Sequence, residues 1–301
     1  MIQVLVDSLI RAAELSFLAV GLTMVYSVLR FANFAHVEFA TVGAYLALGL
    51  SRTAGLPLAL AAVLAVVMAG GLGVLADRAI FSRLRHAPPI MLMIASFALG
   101  IAMRETVRAI WGPSPFFYSL GILPSMRVFG ALITPTQIGV IAAAVLAMVA
   151  FHLLLSRTRL GIAMRATADN APLSQASGIA TDTVIRAVWF IGAGFAALGG
   201  VLVGLNTQVK PDMGFGLIIE VFAAAIVGGI GSPYGAILGA LLVGSAENIG
   251  LAIDWSPVLN AIGFEVGRFA YIPTGYKAAL AFSLLILTLL VRPRGIMGAR
   301  L

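Results

Sequence analysis

The chain has 301 residues, of which 61% are hydrophobic and only 10% are charged. A soluble domain of this length cannot hide so much apolar surface, and the absence of cysteine excludes disulfides, thiolate metal sites and cysteine nucleophiles. The formal net charge is +7, but the arginines lie scattered at the ends of apolar runs. Anionic lipid headgroups therefore explain the charge better than nucleic acid does.

Apolar runs of about 20 residues, the length that crosses a bilayer, recur along the chain. They predict an all-α, polytopic transmembrane helical bundle of about eight spans (seven to nine) that forms one integral-membrane domain, residues 1–301. No removable signal peptide is expected, because a basic start and a small-residue cleavage site are missing. The predicted spans are 9–29, 35–52, 57–76, 89–110, 134–155 and 184–205, followed by a long tract at 217–252 and a last span at 275–291.

Three polar residues, Asn33, His36 and Glu38, stand between the first two spans. Ionisable groups at membrane depth are functional candidates by default. Three explanations are open: the side chains hold a kink by hydrogen bonding, they line a substrate pathway, or they relay protons. His36 and Glu38 do not share a helix face, so the spacing disfavours a metal site.

Arg104, Glu105 and Arg108 lie close together near the end of the fourth predicted span. An ion pair whose long side chains reach out to the interface explains them without any role in binding. A contact with substrate is the alternative.

The polar loop at 156–183 carries several arginines and contrasts with the apolar chain around it. Arg165 to Asn170 is expected to form a short helix, Pro172 to start a second turn and Gly178 to end it. A solvated linker of this length is uncommon, so a docking segment is favoured.

The tract at 217–252 is interrupted at its centre by a glycine-rich break. The break has no lysine and no preceding strand, so it is not a phosphate-binding loop; it indicates a broken helix or a tight hairpin. Its candidate pathway or gate residues are Gly228, Gly229, Gly231, Ser232, Pro233 and Gly235.

Arginine-bearing segments at 77–89, 156–183 and 292–300 predict the cytoplasmic side of the bundle. For all three to share that side, the 217–252 tract must return to the side it entered from, as a broken or re-entrant helix pair. This arrangement puts the N-terminus outside and the C-terminus in the cytoplasm.

Residue patterns of membrane enzymes are missing: the sequence has no HExxH, DDxxD or GxSxG motif, and its three histidines are far apart. No catalytic residue, no metal and no bound cofactor is expected.

Four motifs in order carry a family resemblance: NFAHVEF with TVGAY, RATADNAPLSQASGI, AAAIVGGIGSPYGAILGALLVG and RPRGIMG. From about Gly21 to Gly298, the chain resembles the inner-membrane permeases of ABC importers for branched-chain amino acids, specifically the smaller of the two permease subunits. The resemblance implies a multi-pass protein of the bacterial inner membrane that works with a second, related permease and two cytoplasmic ATP-binding subunits. A solute-binding protein outside the membrane completes the set, and ATP is bound by the partner subunits only.

The resemblance also makes the polar loop a coupling segment that docks on an ATPase. The residues assigned to coupling are Arg165, Ala168, Asp169, Asn170, Ala176, Gly178 and Ile179. The chain departs from the family pattern at Val37, where the family has glycine, and at Pro172, where the proline is shifted by one residue.

The main alternative is a secondary transporter or channel for a small solute such as urea or an amide, working without ATPases. It requires functional carboxylates inside the spans, and the candidates are Glu38, Glu220 and Glu247.

Overall fold

The computed structural model of the protein describes residues 2–121, 124–128, 130–262 and 269–298. Its helices are α1 (Ile2–Leu29), α2 (His36–Thr53), α3 (Leu58–Ala76), α4 (Pro89–Trp111), α5 (Pro135–Arg157), α6 (Arg159–Asp169), α7 (Ala171–Ala176), α8 (Thr181–Asn206), α9 (Met213–Gly216), α10 (Ile218–Gly228), α11 (Pro233–Ala252), α12 (Ser256–Ala261) and α13 (Lys277–Val291). A π-helical turn (Asp77–Phe81) extends α3, and a 3-10 turn (Thr274–Tyr276) precedes α13. Two short strands, β1 (Met126–Val128) and β2 (Ala131–Ile133), pair antiparallel.

Seven of the described helices are long and apolar enough to cross a membrane. The all-helical, polytopic class predicted from the sequence is therefore confirmed. The most apolar stretches of α1 and α8 are each 72% buried, against 22% for α4 and for α5. The bundle is therefore built around α1 and α8, while most of the surface of α4 and α5 is not covered by the described part of this chain.

One end of the bundle, which we call the loop end, gathers three segments. Arg85 donates hydrogen bonds to Asp77 and to Asp182, which joins the turn after α3 to the start of α8. Met297, in the chain after α13, lines a cavity together with Arg165 of α6. The segments at 77–89, 156–183 and 292–298 thus lie at one end, as predicted; Arg300 lies outside the described residues.

The tract at 217–252 is a hairpin of one short and one full-length helix, α10 and α11. Its turn lies at the loop end, because the amide of Met297 donates to the carbonyl oxygen of Gly228 at 2.9 Å. The two helices touch backbone to backbone: a Cβ added at Gly239 would lie 1.9 Å from the carbonyl oxygen of Ala224. The predicted helix pair is therefore present as a closed hairpin, and α10 is short because α9 forms a separate turn before it.

At the opposite end, Asp254 fixes the chain that follows α11. Its carboxylate accepts hydrogen bonds from the amides of Ser256 at 3.0 Å and Ala270 at 2.9 Å. These two hydrogen bonds favour the charged form and lower the pKa of Asp254.

We expect Gly239→Ala to destabilise the protein, because the methyl group meets backbone atoms of α10 that cannot move aside. Overpacking of this kind costs about 1–3 kcal/mol, and thermal unfolding in detergent measures it as a lower midpoint.

Gly71→Ala is the matched control, because a Cβ at Gly71 of α3 has no atom within 4 Å. Helix propensity alone makes that variant neutral or up to about 1 kcal/mol more stable. Equal midpoints for the two variants contradict the close packing of α10 and α11.

Candidate functional site

The polar segment before α2 lies deep inside the bundle. Asn33 is 0% exposed, His36 1% and Glu38 3%. A Cβ added at Gly21 of α1 would lie 2.7 Å from the His36 ring and 2.7 Å from the carbonyl oxygen of Gly192, near the middle of α8. The helix α2 therefore begins within the bundle and not at its surface.

The hydrogen bonding of this segment is incomplete. Glu38 accepts a hydrogen bond from the Thr41 hydroxyl at 3.1 Å, and that hydroxyl accepts one from the amide of Gly214 at 3.0 Å. Both polar side-chain atoms of Asn33, and Nε2 of His36, have no partner among the described residues. Buried polar groups are normally paired, and each exception calls for an explanation such as a water or a ligand. The segment thus offers free hydrogen-bonding groups inside the membrane protein.

The glycine break forms the turn between α10 and α11, and we call residues 228–235 the glycine turn. Gly229 has a φ of +109° and Gly231 a φ of +94°, in the region that favours glycine. Ser232 caps α11, since its hydroxyl accepts the amide of Gly235 at 3.1 Å. The sequence grouped this turn with Asn33, His36 and Glu38 as pathway elements, but the structure places it at the loop end.

There the glycine turn borders a cavity of about 430 Å³ that α1 and the polar loop also line. Gly231 and Tyr234 of the turn face this cavity together with Arg165 and Asp169 of α6. Tyr234 is in turn hydrogen-bonded to His152 of α5 at 2.8 Å. The turn and the predicted coupling segment therefore line the same cavity.

The polar loop folds into two helices, α6 and α7, on either side of Asn170. The first helix was predicted from Arg165 to Asn170; it begins earlier, at Arg159, where Thr158 caps it, and ends at Asp169. The Asn170 side chain caps α7 by accepting the amide of Leu173 at 3.0 Å, and Gly178 follows α7 with a φ of +87°. Arg165 donates to the carbonyl oxygen of Leu155, and Ala168 accepts from Arg30 at 2.6 Å. These four predicted coupling residues thus shape the loop and fasten it to α1 and α5.

The exposed surface of the loop includes Arg165, Asn170 and Gly178, and further positions add to it. Asp169 and Ala176 are exposed and Ile179 is half-buried. Leu173, on α7, is 63% exposed, although it is a large apolar residue. The sequence motif contained Leu173, but nothing in the motif alone distinguished it from its neighbours.

A second polar site was missed by the sequence analysis. Arg11 of α1 donates hydrogen bonds to Glu14 at 3.1 Å, to Glu247 of α11 at 3.2 Å and to Glu220 of α10. Asn206, the last residue of α8, donates to Glu14 at 2.6 Å. We call Arg11, Glu14, Glu220 and Glu247 the ionic cluster.

The ionic cluster is buried and unbalanced in charge. The side chains of Glu14, Glu220 and Glu247 are at most 6% exposed, and one guanidinium faces all three carboxylates. Oε1 of Glu247 has no hydrogen-bond partner in the described part of the chain. Glu220 and Glu247, named above as separate carboxylate candidates, are thus members of one ion-pair network.

Comparison with known proteins decides the family. A family model described as the permease component of the branched-chain amino acid transport system matches residues 4–294. The chain belongs to this family. With its membrane-length apolar helices, the permease is a multi-pass inner-membrane protein.

Relatives match the permease over nearly its whole length. The high-affinity branched-chain amino acid transport permease LivH of Salmonella typhimurium is 31% identical, over 99% of this chain and 95% of the relative. BraD of Pseudomonas aeruginosa is 32% identical with the same coverage. The galactofuranose transporter permease YtfT of Escherichia coli is 25% identical over 85% of this chain and 75% of its own length.

One solved structure shares the fold. A chain of PsaBC from Streptococcus pneumoniae, in complex with Fab, superposes with a TM-score of 0.50 over 96% of this permease and 91% of that chain. The sequence identity is 13%, so this likeness concerns the helix arrangement only.

We expect Arg11→Gln to destabilise the permease strongly, because it leaves three buried carboxylates without their counter-charge. Removing one partner of a buried ion pair costs about 3–5 kcal/mol. Membrane yield and the thermal midpoint in detergent measure the effect.

Arg52→Gln is the control: Arg52 is exposed, donates to the carbonyl oxygen of Phe117 at 3.2 Å and lies over the Phe116 ring at 5.0 Å, and it forms no ion pair with the described residues. Its loss is expected to change stability by less than about 1 kcal/mol. A stable, well-expressed Arg11→Gln variant would show that the ionic cluster does not hold the helices together.

Proposed function

We propose that this permease is one membrane subunit of an ATP-driven importer and forms half of the pathway for branched-chain amino acids or related small polar solutes. The observation that carries the proposal is the family match over residues 4–294, joined to a helical loop that stands at one end of the bundle. In this proposal the permease has no catalytic residue of its own and binds no cofactor. ATP is bound and hydrolysed by two cytoplasmic partner subunits.

The loop end faces the cytoplasm in this proposal, and the N-terminus lies outside. Arg78, Arg83 and Arg85 follow α3, and further arginines stand in the polar loop and after α13. Basic residues accumulate in cytoplasmic loops of membrane proteins, which supports this orientation. A solute-binding protein then delivers its cargo to the opposite end, where α2 and α8 terminate.

We assign α7 as the element that docks on an ATPase. The polar loop is braced against the bundle by Arg30 and Arg165, while Leu173 projects from α7 without cover from this chain. An exposed large apolar side chain on a short, fixed helix suits a hydrophobic groove on a partner. ATP binding on the partners would then move α7 and, through α6, the cavity wall that includes the glycine turn.

The pathway itself is assigned to the buried polar segment and the glycine turn. Asn33, His36 and Glu38 offer polar groups inside the bundle, and the glycine turn forms the gate at the cytoplasmic end. The gate borders the same cavity as Asp169, so a movement of the coupling segment reaches it directly.

The cargo assignment follows the relatives that match over the full length. LivH and BraD are named as permeases of high-affinity branched-chain amino acid transport systems. YtfT is named for galactofuranose and LsrC for autoinducer 2, at shorter coverage. The full-length matches to LivH and BraD support an amino-acid cargo. The resemblance to the same family supports a second, related permease as partner.

Affinity purification from the native membrane in mild detergent, followed by mass spectrometry, tests the partner set. Recovery of two ATP-binding subunits and a second permease is expected. A chain that purifies alone, and transports in proteoliposomes without ATP, would instead be a secondary transporter or channel.

We expect Leu173→Glu to abolish stimulation of ATP hydrolysis by the loaded binding protein, because a buried carboxylate at the docking surface costs several kcal/mol. The measurement is ATP hydrolysis and uptake by the reconstituted complex.

Thr183→Glu introduces the same charge at another exposed position of the same loop end, in the first turn of α8. It is expected to leave hydrolysis and uptake within about twofold, since exposed substitutions rarely exceed 0.5 kcal/mol. If Leu173→Glu behaves like Thr183→Glu, α7 is not the docking element.

A further inference from the structure

We propose that Glu38 and Arg104 bind the two charged ends of a zwitterionic substrate, with Glu38 facing the ammonium group and Arg104 the carboxylate. The proposal rests on the permease function above and names a residue, Arg104, that the family motifs do not contain. It makes the cleft between α2, α4 and α9 a binding site within the pathway.

Glu38 lies beside the middle of α4, and Arg104 lies between that level and the end of the helix. Gly100 is the central residue of α4, and a Cβ added there would lie 3.4 Å from Cγ of Glu38. Arg104 follows one helical turn later on α4, or about 6 Å along the axis. Ionisable groups at this depth are costly unless they face protein or water, so a lipid-facing position is unfavourable for Glu38.

The two residues line one narrow cleft whose other walls are apolar or aromatic. Arg104 and Glu38 share it with Phe34, Phe97, Gly100, Ile101, Phe215 and Ile218. The guanidinium carbon of Arg104 lies 4.9 Å from the centroid of the Phe215 ring, which holds the cation over the cleft. Phe97 is 47% and Phe215 46% exposed, so the rim is large, apolar and uncovered by this chain.

Neither charge is neutralised by a dedicated partner within the protein. Glu38 takes part in no ion pair among the described residues; its recorded contact is the Thr41 hydroxyl. Arg104 touches Glu105 through Nε at 3.3 Å, but Arg108 binds both oxygens of Glu105 at 3.0 and 3.1 Å. The terminal amino groups of Arg104 have no hydrogen-bond partner in the described part of the chain.

This arrangement matches the chemistry of an apolar α-amino acid. A guanidinium binds a carboxylate with two parallel hydrogen bonds, and a carboxylate accepts from an ammonium group. The phenylalanine rings provide the apolar surface on which a branched aliphatic side chain packs. The pair adds no net charge, as a zwitterion requires.

The cleft is too small for an amino acid in this structure. Its volume is about 10 Å³, which holds a single water molecule and not an amino acid. Substrate therefore binds when α4 moves away from α9, a movement that alternating access would provide.

The test uses the whole importer, with the partners that copurify, in proteoliposomes. Leucine uptake and ATP hydrolysis stimulated by the leucine-loaded binding protein are measured together, and their ratio gives leucine moved per ATP. Arg104→Gln and Glu38→Gln are each expected to keep hydrolysis and to lower this ratio about tenfold or more, because a lost charge-assisted hydrogen bond weakens binding by that factor.

Arg108→Gln is the matched control, since Arg108 binds the same Glu105 but does not line the cleft. Its ratio is expected to stay within about twofold of wild type. Equal losses for Arg104→Gln and Arg108→Gln would overturn the proposal and show that Arg104 belongs to an interfacial ion pair only.

Arg104→Lys is a second variant that keeps the test valid if Arg104→Gln does not assemble. It keeps the charge but cannot form two parallel hydrogen bonds, so an intermediate ratio is expected and a wild-type ratio contradicts the proposal. A wild-type importer that hydrolyses ATP but moves no leucine refutes the cargo assignment instead. A wild-type complex whose ATP hydrolysis is not stimulated by the loaded binding protein refutes the importer function. Either result also refutes the proposed binding site.

Discussion

A single guanidinium holds four helices in register. Arg11 connects α1 to α10 and α11 through Glu220 and Glu247, and its partner Glu14 continues the link to Asn206 at the end of α8. Helices in a membrane gain little from apolar burial when they associate, because lipid tails are as apolar as leucine. A buried ionic contact can select one arrangement among many that pack equally well.

Small residues also fix the helix arrangement, because they let α2 and α8 pack closely. A Cβ at Gly200 of α8 would lie 2.0 Å from the carbonyl oxygen of Ala40, and one at Gly43 would lie 2.4 Å from Cα of Ala197. These contacts press α2 against α8 and carry its first turn into the interior. The polar segment is deep in the bundle because the neighbouring helices meet there without side chains between them.

Part of this structure could be predicted from local residue patterns and from the even number of membrane crossings needed between segments on one side. The arginines at 77–89, 156–183 and 292–298 predicted a shared end, and that requirement, with the break at Gly228, predicted the α10–α11 hairpin. Arg11 and Glu247 could not be paired in advance, because 236 residues separate them and neither belongs to a motif. Likewise, Glu38 is buried inside the bundle because α2 packs against α4 and α8. The glycine turn lies at the loop end because it is bonded to the chain after α13. Sequence spacing carries no information on such distant contacts.

The bonds between the glycine turn and the chain after α13 also constrain how the protein is made. The amides of Ile296 and Met297 donate to the carbonyl oxygens of Val227 and Gly228, both at 2.9 Å. The ribosome synthesises the turn before those amides, so α10 and α11 are made before these two hydrogen bonds can form. The hairpin is completed only when α13 has been inserted and the following residues fold back beneath it. The contacts around the glycine turn are therefore completed last, after the membrane-length helices before it have been made.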